Sequence, residues 1–104
     1  MAEMEEYLDA LRRLVKIAHG DTGQSRRVAD FLLAWWNAGS CGGFDLTNLW
    51  AVDRAIAQDM AQVMVLIAVR HEYPTAYGLG PDFERIVADW RPELLEPPAT
   101  RKAG

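Results

Sequence analysis

The amino-acid sequence predicts an all-α protein: a compact single domain of four to five helices around a central helix at about residues 53–71. Three observations carry this expectation. Apolar residues recur at intervals of three and four through most of the 104 positions, which is the spacing of one helix face. No stretch of strand length alternates apolar with polar residues, and there is no internal repeat or low-complexity segment. Helix-stopping residues stand between the periodic segments, at Gly20, Asn37 to Gly39, Pro74 and Pro92. The domain is expected over residues 1–96, with 97–104 as a loose tail.

Residues 3–18 read as the first helix. Met4, Leu8, Leu11, Val15 and Ala18 form its apolar stripe, widened by Leu14 and Ile17. Glu3, Glu5, Glu6 and Asp9 fill its first half and Arg12, Arg13 and Lys16 its second, the order that the helix dipole favours. Asp9 and Arg13 have the spacing of an i,i+4 ion pair. A second helix starts at Asp21 or Thr22 and runs to about Asn37, with Val28, Phe31, Leu32 and Trp35 on one face. Trp36 is turned ~100° from Trp35, so one indole belongs to the core and the other is either a second core contact or exposed. A loop then leads to Phe44.

The densest group of special residues is Gly42-Gly43-Phe44-Asp45-Leu46-Thr47-Asn48-Leu49-Trp50-Ala51-Val52-Asp53. The glycine pair permits a sharp turn. Asp45 is placed as an N-cap, with Phe44 before it and Leu49 at the fourth helical position, the spacing of a hydrophobic staple. Helical periodicity then continues to about His71. Asp53 falls on the apolar stripe between Trp50 and Ile56. Either the helix breaks near Val52 and Asp53 caps a new one, or a carboxylate is partly buried and needs a donor. An unbroken helix over 46–71 would be ~39 Å long, which favours the break. Val65, Leu66, Ala68 and Val69 make the last turns apolar nearly all round, so this helix is expected to be the most buried.

Tyr73-Pro74 closes that helix, and Tyr77 to Gly80 form a loop. Pro81, Asp82 and Glu84 open a last helix, whose apolar face is Phe83, Ile86, Val87 and Trp90. Leu94 and Leu95 are expected to dock after Pro92.

Composition narrows the function classes. Half of the residues are hydrophobic and the net charge is −4. The N-terminus is acidic, and the longest apolar run, Val63 to Val69, is far below the ~20 residues of a membrane span. A soluble, cytoplasmic protein is therefore expected. Cys41 stands alone, with no basic neighbour in sequence to activate it. No phosphate loop or paired-ligand metal spacing is present, and Ser25 and Ser40 lack a nucleophile context. His19 and His71 end helices, where a cation is favoured. Asp45, Asp53 and Asp59 are the carboxylates that could do acid–base work. The expectation is a non-enzyme without cofactor or metal.

The run GGFDLTNLWAVD, followed by DMAQV, EYP and FERIVADWRP, resembles a family of small uncharacterised bacterial proteins. The resemblance covers roughly residues 26–92 and leaves the first helix and the tail outside. It implies a plasmid or integrated-element setting and no assigned activity. The functional expectation is an interaction or regulatory accessory module. Its patch would be Trp36, Phe44, Asp45, Trp50 and Asp53, and its partner another protein or a second copy in a homodimer. Two alternatives stand beside it: a dimeric nucleic-acid-associated regulator using Arg26 and Arg27, and an acidic inhibitor of a nucleic-acid-binding partner.

Overall fold

A computed structural model describes residues 2–95. Four α-helices and three 3-10 turns make up most of the described chain, two of the turns lying between helices and the third after the last, and no strand occurs among these residues. The tail at 97–104, with Arg101 and Lys102, and the boundary at Glu96 lie outside them.

Helix α1 (Ala2–Ala18) presents Ala10, Leu11, Leu14, Val15 and Ala18 to the core, as its periodicity predicts. Its ion pairing differs from the expected Asp9–Arg13 pair. Asp9 pairs with Arg12 at 3.0 Å, while Arg13 reaches across to Asp59 with two 2.9 Å bonds. The planar guanidinium matches both oxygens of a carboxylate, and Arg13 sits where a neighbouring helix offers one. Asp59 is therefore an inter-helix strut.

Helix α2 (Gly23–Cys41) starts at the N-cap Thr22, whose hydroxyl accepts the Ser25 N–H at 3.0 Å. A Cβ on Gly20 would lie 2.7 Å from Ser25 Oγ, so glycine is needed where α1 turns towards α2. The continuous helix breaks at Asn37, where its end was expected. Asn37 leaves helical geometry (φ −168°, ψ 85°), but one more turn follows, because its side-chain oxygen accepts the Ser40 N–H at 3.2 Å. Asparagine competes with the backbone in this way and kinks a helix without stopping it. Gly42, at φ 96°, ends it.

Asp45 caps as expected, accepting from the Thr47 N–H (2.9 Å) and hydroxyl (2.8 Å), but the element it starts is a 3-10 turn, Leu46–Ala51. Val52 is extended and the chain breaks before helix α3 (Arg54–Arg70). Asp53 occupies the N-cap position of α3 without a side-chain capping bond. Its carboxylate accepts from Gln24 Nε2 at 3.3 Å, and its N–H donates to Gln24 Oε1 at 2.7 Å. This pair ties the start of α3 to the first turn of α2.

Helix α3 buries Ile56, Met60, Val63 and Leu66, mostly against α1. Its expected enclosure on all sides is not found: Val65 and Val69 are exposed. The helix that touches all the others is α1, which packs on α2, on α3 and, less extensively, on helix α4 (Gly80–Trp90). An apolar last turn marks a buried helix only if other elements cover it, and α2 does not pack extensively on α3. His71 ends α3 in the left-handed region (φ 50°), its ring N–H donating to the Ala68 carbonyl at 2.9 Å.

Pro74–Tyr77 forms the second 3-10 turn and leads into α4, which buries Phe83, Ile86 and Val87. A polar corner joins α4 to α1 and α2. Trp90 Nε1 donates to the Ala18 carbonyl at 2.9 Å. Arg91 donates to the Cys41 carbonyl at 2.9 Å and to Asp30 at 2.7 Å. His19 Nε2 meets Asp82 at 2.9 Å. The last 3-10 turn, Pro92–Leu95, leaves Leu94 and Leu95 exposed rather than docked. No helix among the described residues is long and apolar enough to cross a membrane.

Candidate functional site

α2 and α3 are not extensively packed on each other, and a groove lies between them. One wall is the α2 face of Phe31, Ala34 and Trp35, spaced three and four apart. The opposite wall is the end of α3, Ile67 and His71, continued by Glu72 and Tyr73. Phe44 and Leu46 close one side. The space is ≈ 550 Å³, within the ~300–1,000 Å³ typical of binding clefts.

The rings that build this groove are held from behind. Phe44 packs edge-on against Phe31, with centroids 5.3 Å apart. Trp35 Nε1 donates to the Glu72 carbonyl at 3.1 Å, and its ring meets Phe83 edge-on at 6.1 Å and Tyr77 at 6.5 Å. The rim is open: Leu46 is 64 % and Tyr73 63 % exposed. A smaller cavity, lined by Trp36, Tyr73 and Thr75, is ≈ 220 Å³, so Tyr73 stands between two hollows.

Polar groups sit at one end only. Glu72 accepts from the Tyr77 hydroxyl at 3.3 Å and lies 3.7 Å from Arg70. Burial, then the nearby Glu72 charge, push the Tyr77 phenol above its ordinary range. Next to the groove, the Thr47 hydroxyl and N–H hold the Asp45 carboxyl below the usual carboxylate range. The lining holds no serine, cysteine or lysine. The lining is mostly apolar and aromatic, with the titratable side chains of His71, Glu72 and Tyr73 along the wall that continues α3.

The structure distributes the five residues of the expected patch. Phe44 is in the groove. Trp36 stacks on Phe83 at 5.3 Å and faces the smaller cavity. Trp50 is 85 % exposed on the 3-10 turn. Asp45 and Asp53 serve the cap and the Gln24 bridge. Trp35, Leu46, Ile67 and Tyr73 line the groove and were not singled out as site residues from the sequence. The spacing of Phe31, Ala34 and Trp35 was a visible signal, but it reads equally as core.

Of the two arginines at the start of α2, Arg26 is exposed, while Arg27 folds back to donate to the Gly23 carbonyl at 3.3 Å. Cys41 does have a basic neighbour, Arg91, which sequence distance concealed. Burial nonetheless raises its thiol pKa, with Arg91 opposing only in part. No group of three metal-ligating side chains comes together among the described residues.

No curated protein and no solved structure matches the chain significantly. A family match does reach back to Leu8, so it takes in most of α1, which the resemblance over 26–92 had left outside. That extension makes structural sense, because α1 is the helix on which the others pack. Over residues 8–91 the chain belongs to DUF7673, a family of unknown function.

Proposed function

We propose that the protein is an interaction module whose working surface is the groove between α2 and α3, and that it binds an apolar or aromatic side chain of a protein partner. The single observation that supports this is the contrast within the groove. Its rings are fixed from behind by Phe83 and the Glu72 carbonyl, yet Leu46 and Tyr73 at its rim are left to solvent. Pre-organised aromatic pockets with exposed rims are where binding energy concentrates. A regulatory or accessory role on a bacterial mobile element, in the cytoplasm, is the setting we attach to it, and it rests on family resemblance alone.

A photo-crosslinking residue at Leu46 tests this reading in cells that produce the protein. A discrete protein adduct is expected from Leu46, lost on Tyr73→Asp, and absent when the probe is placed at the exposed Arg85 on α4. Equal adducts from both positions, or none from Leu46, would overturn the reading. Nucleic-acid contact through Arg26 and Arg27 is the weaker reading, since Arg27 is engaged with its own helix and the net charge is −4.

A further inference from the structure

The groove lining includes a carboxylate, Glu72, and neither lysine nor arginine. His71, also in the lining, does not answer it: its ring Nε2 meets the Ala68 carbonyl at 2.9 Å. The partners that Glu72 does have both meet one oxygen. The Tyr77 hydroxyl donates to Oε1 at 3.3 Å, and Arg70 Nε lies 3.7 Å from that same atom. Oε2 has no partner among the described residues. The Arg70 contact is longer than a hydrogen bond, and Arg70 is half-exposed and outside the lining. Tyr77 keeps its proton, because burial and the Glu72 charge both push its phenol up. Glu72 is therefore anchored through one oxygen and offers the other.

The wider field has the same sign. Asp45 stands between the groove residues Phe44 and Leu46, is exposed, and is held below the ordinary carboxylate range by Thr47, so it stays ionised. The whole chain carries a net charge of −4. Such a surface attracts cations and repels anions.

We propose that the partner segment seated in this groove is basic: its apolar or aromatic side chain fills the groove, and a lysine or arginine beside that residue in the partner's sequence meets Glu72 Oε2. The inference rests on the groove being a protein-binding surface and adds the charge of what it binds. Three features converge on this occupant. The walls of Phe31, Ala34, Trp35 and Ile67 take the anchor. The unengaged oxygen at the end of the α3 wall takes the cation. Tyr73, exposed and next to Glu72 on that wall, adds an aromatic ring, near which a guanidinium or ammonium is favoured. An acidic segment would instead bring like charges together, which is costly. Because Glu72 is partly exposed, its ion pair contributes up to about fivefold in affinity and weakens with salt. The anchor supplies the affinity, and the charge supplies the choice among partners.

Nuclear magnetic resonance titration of the full chain tests the proposal. The probes are the acetylated, amidated peptide Lys-Leu-Phe-Lys and the same peptide with both lysines replaced by glutamine or by glutamate. The signals followed are the Trp35 indole N–H and the Ala34 and Ile67 amides. The lysine peptide should move these signals and bind at least about tenfold more tightly than the glutamate peptide at low salt. The gap should narrow at about 0.5 M salt. Glu72→Gln keeps an acceptor for Tyr77 and should remove most of the lysine peptide's advantage over the glutamine peptide. Asp21→Asn makes the same change of net charge at the far end of α2 and should leave that advantage intact. Equal binding of the lysine and glutamine peptides, or equal losses from Glu72→Gln and Asp21→Asn, would overturn the proposal and leave the groove reading standing. Shifts of the same signals on raising the protein concentration alone, not reversed by the lysine peptide, would place a second copy in the groove and overturn it too. If no peptide moves the signals at millimolar concentration, the proposal falls, and the Leu46 cross-link still decides the groove reading.

Discussion

The corner joining α1, α2 and α4 and the groove between α2 and α3 use the same residue types to opposite ends. At the corner the large polar side chains find partners within the described residues, His19 through Nε2 alone while its buried Nδ1 stays unpaired. Trp90 meets the Ala18 carbonyl, Arg91 meets Asp30 and the Cys41 carbonyl, and His19 meets Asp82. Buried polar groups demand such partners, and once they are met the surface has little left to offer. At the groove only the back is satisfied, through Trp35 and Tyr77. The front, Leu46 and Tyr73, is left exposed. The corner ties three helices together, while the groove leaves apolar surface exposed.

That contrast can be broken first at Phe83, where the groove's backing and the core are one residue. Phe83 is fully buried and touches both Trp35 and Trp36. Phe83→Ala should destabilise by about 3–5 kcal/mol, measured by urea denaturation, and loosen the groove with the core. At the corner, Arg91→Met removes the Asp30 pair and the Cys41 carbonyl bond together. Those groups are only partly shielded, so about 1–3 kcal/mol is expected, between the exposed and buried limits. A loss no larger than that of an exposed charge would mean that the corner is not the clamp described.

A smaller effect is expected at the cap. Asp45→Ala should lower the melting temperature modestly and Asp45→Asn less, since the amide keeps the capping oxygen. Because its folded pKa is depressed, the carboxylate contributes stability that is complete above its ordinary range, near 3.8, and is lost as pH falls through the folded value. Thermal melts of wild type should therefore lose this contribution on the acid side, and those of Asp45→Ala should not. The smallest change belongs to Trp50→Ala: within about 0.5 kcal/mol of wild type in thermal melts, as for other exposed positions. A larger loss would show Trp50 to be part of the fold.

Much of this fold was legible before the structure. Local grammar placed the four helices, the start of the second at Asp21 or Thr22, the cap at Asp45, the break before Asp53 and the turns at Gly42 and Pro74. The misreadings came where a side chain answers to a distant partner. Arg13 was assigned to Asp9, four positions away, and instead binds Asp59. Cys41 seemed to have no basic neighbour, and Arg91 lies beside it. The candidate site was legible only in part. Phe44 was singled out and is in the groove, whereas Trp35, Ile67 and Tyr73 gave no signal that separates a groove wall from a core face.

The sequence by itself determined what depends on residues a few positions apart: which segments are helical, where they stop, and which face of each is apolar. Periodicity, capping and glycine or proline geometry act over one or two turns, so they can be read along the chain. Only the tertiary structure decided which apolar faces are covered. It made α1 rather than α3 the helix that packs most extensively on the others, left Val65 and Val69 exposed, and left α2 and α3 without extensive mutual packing. Burial is a property of what packs against a face, and an apolar side chain carries the same local pattern whether a neighbouring helix covers it or leaves it open to a partner.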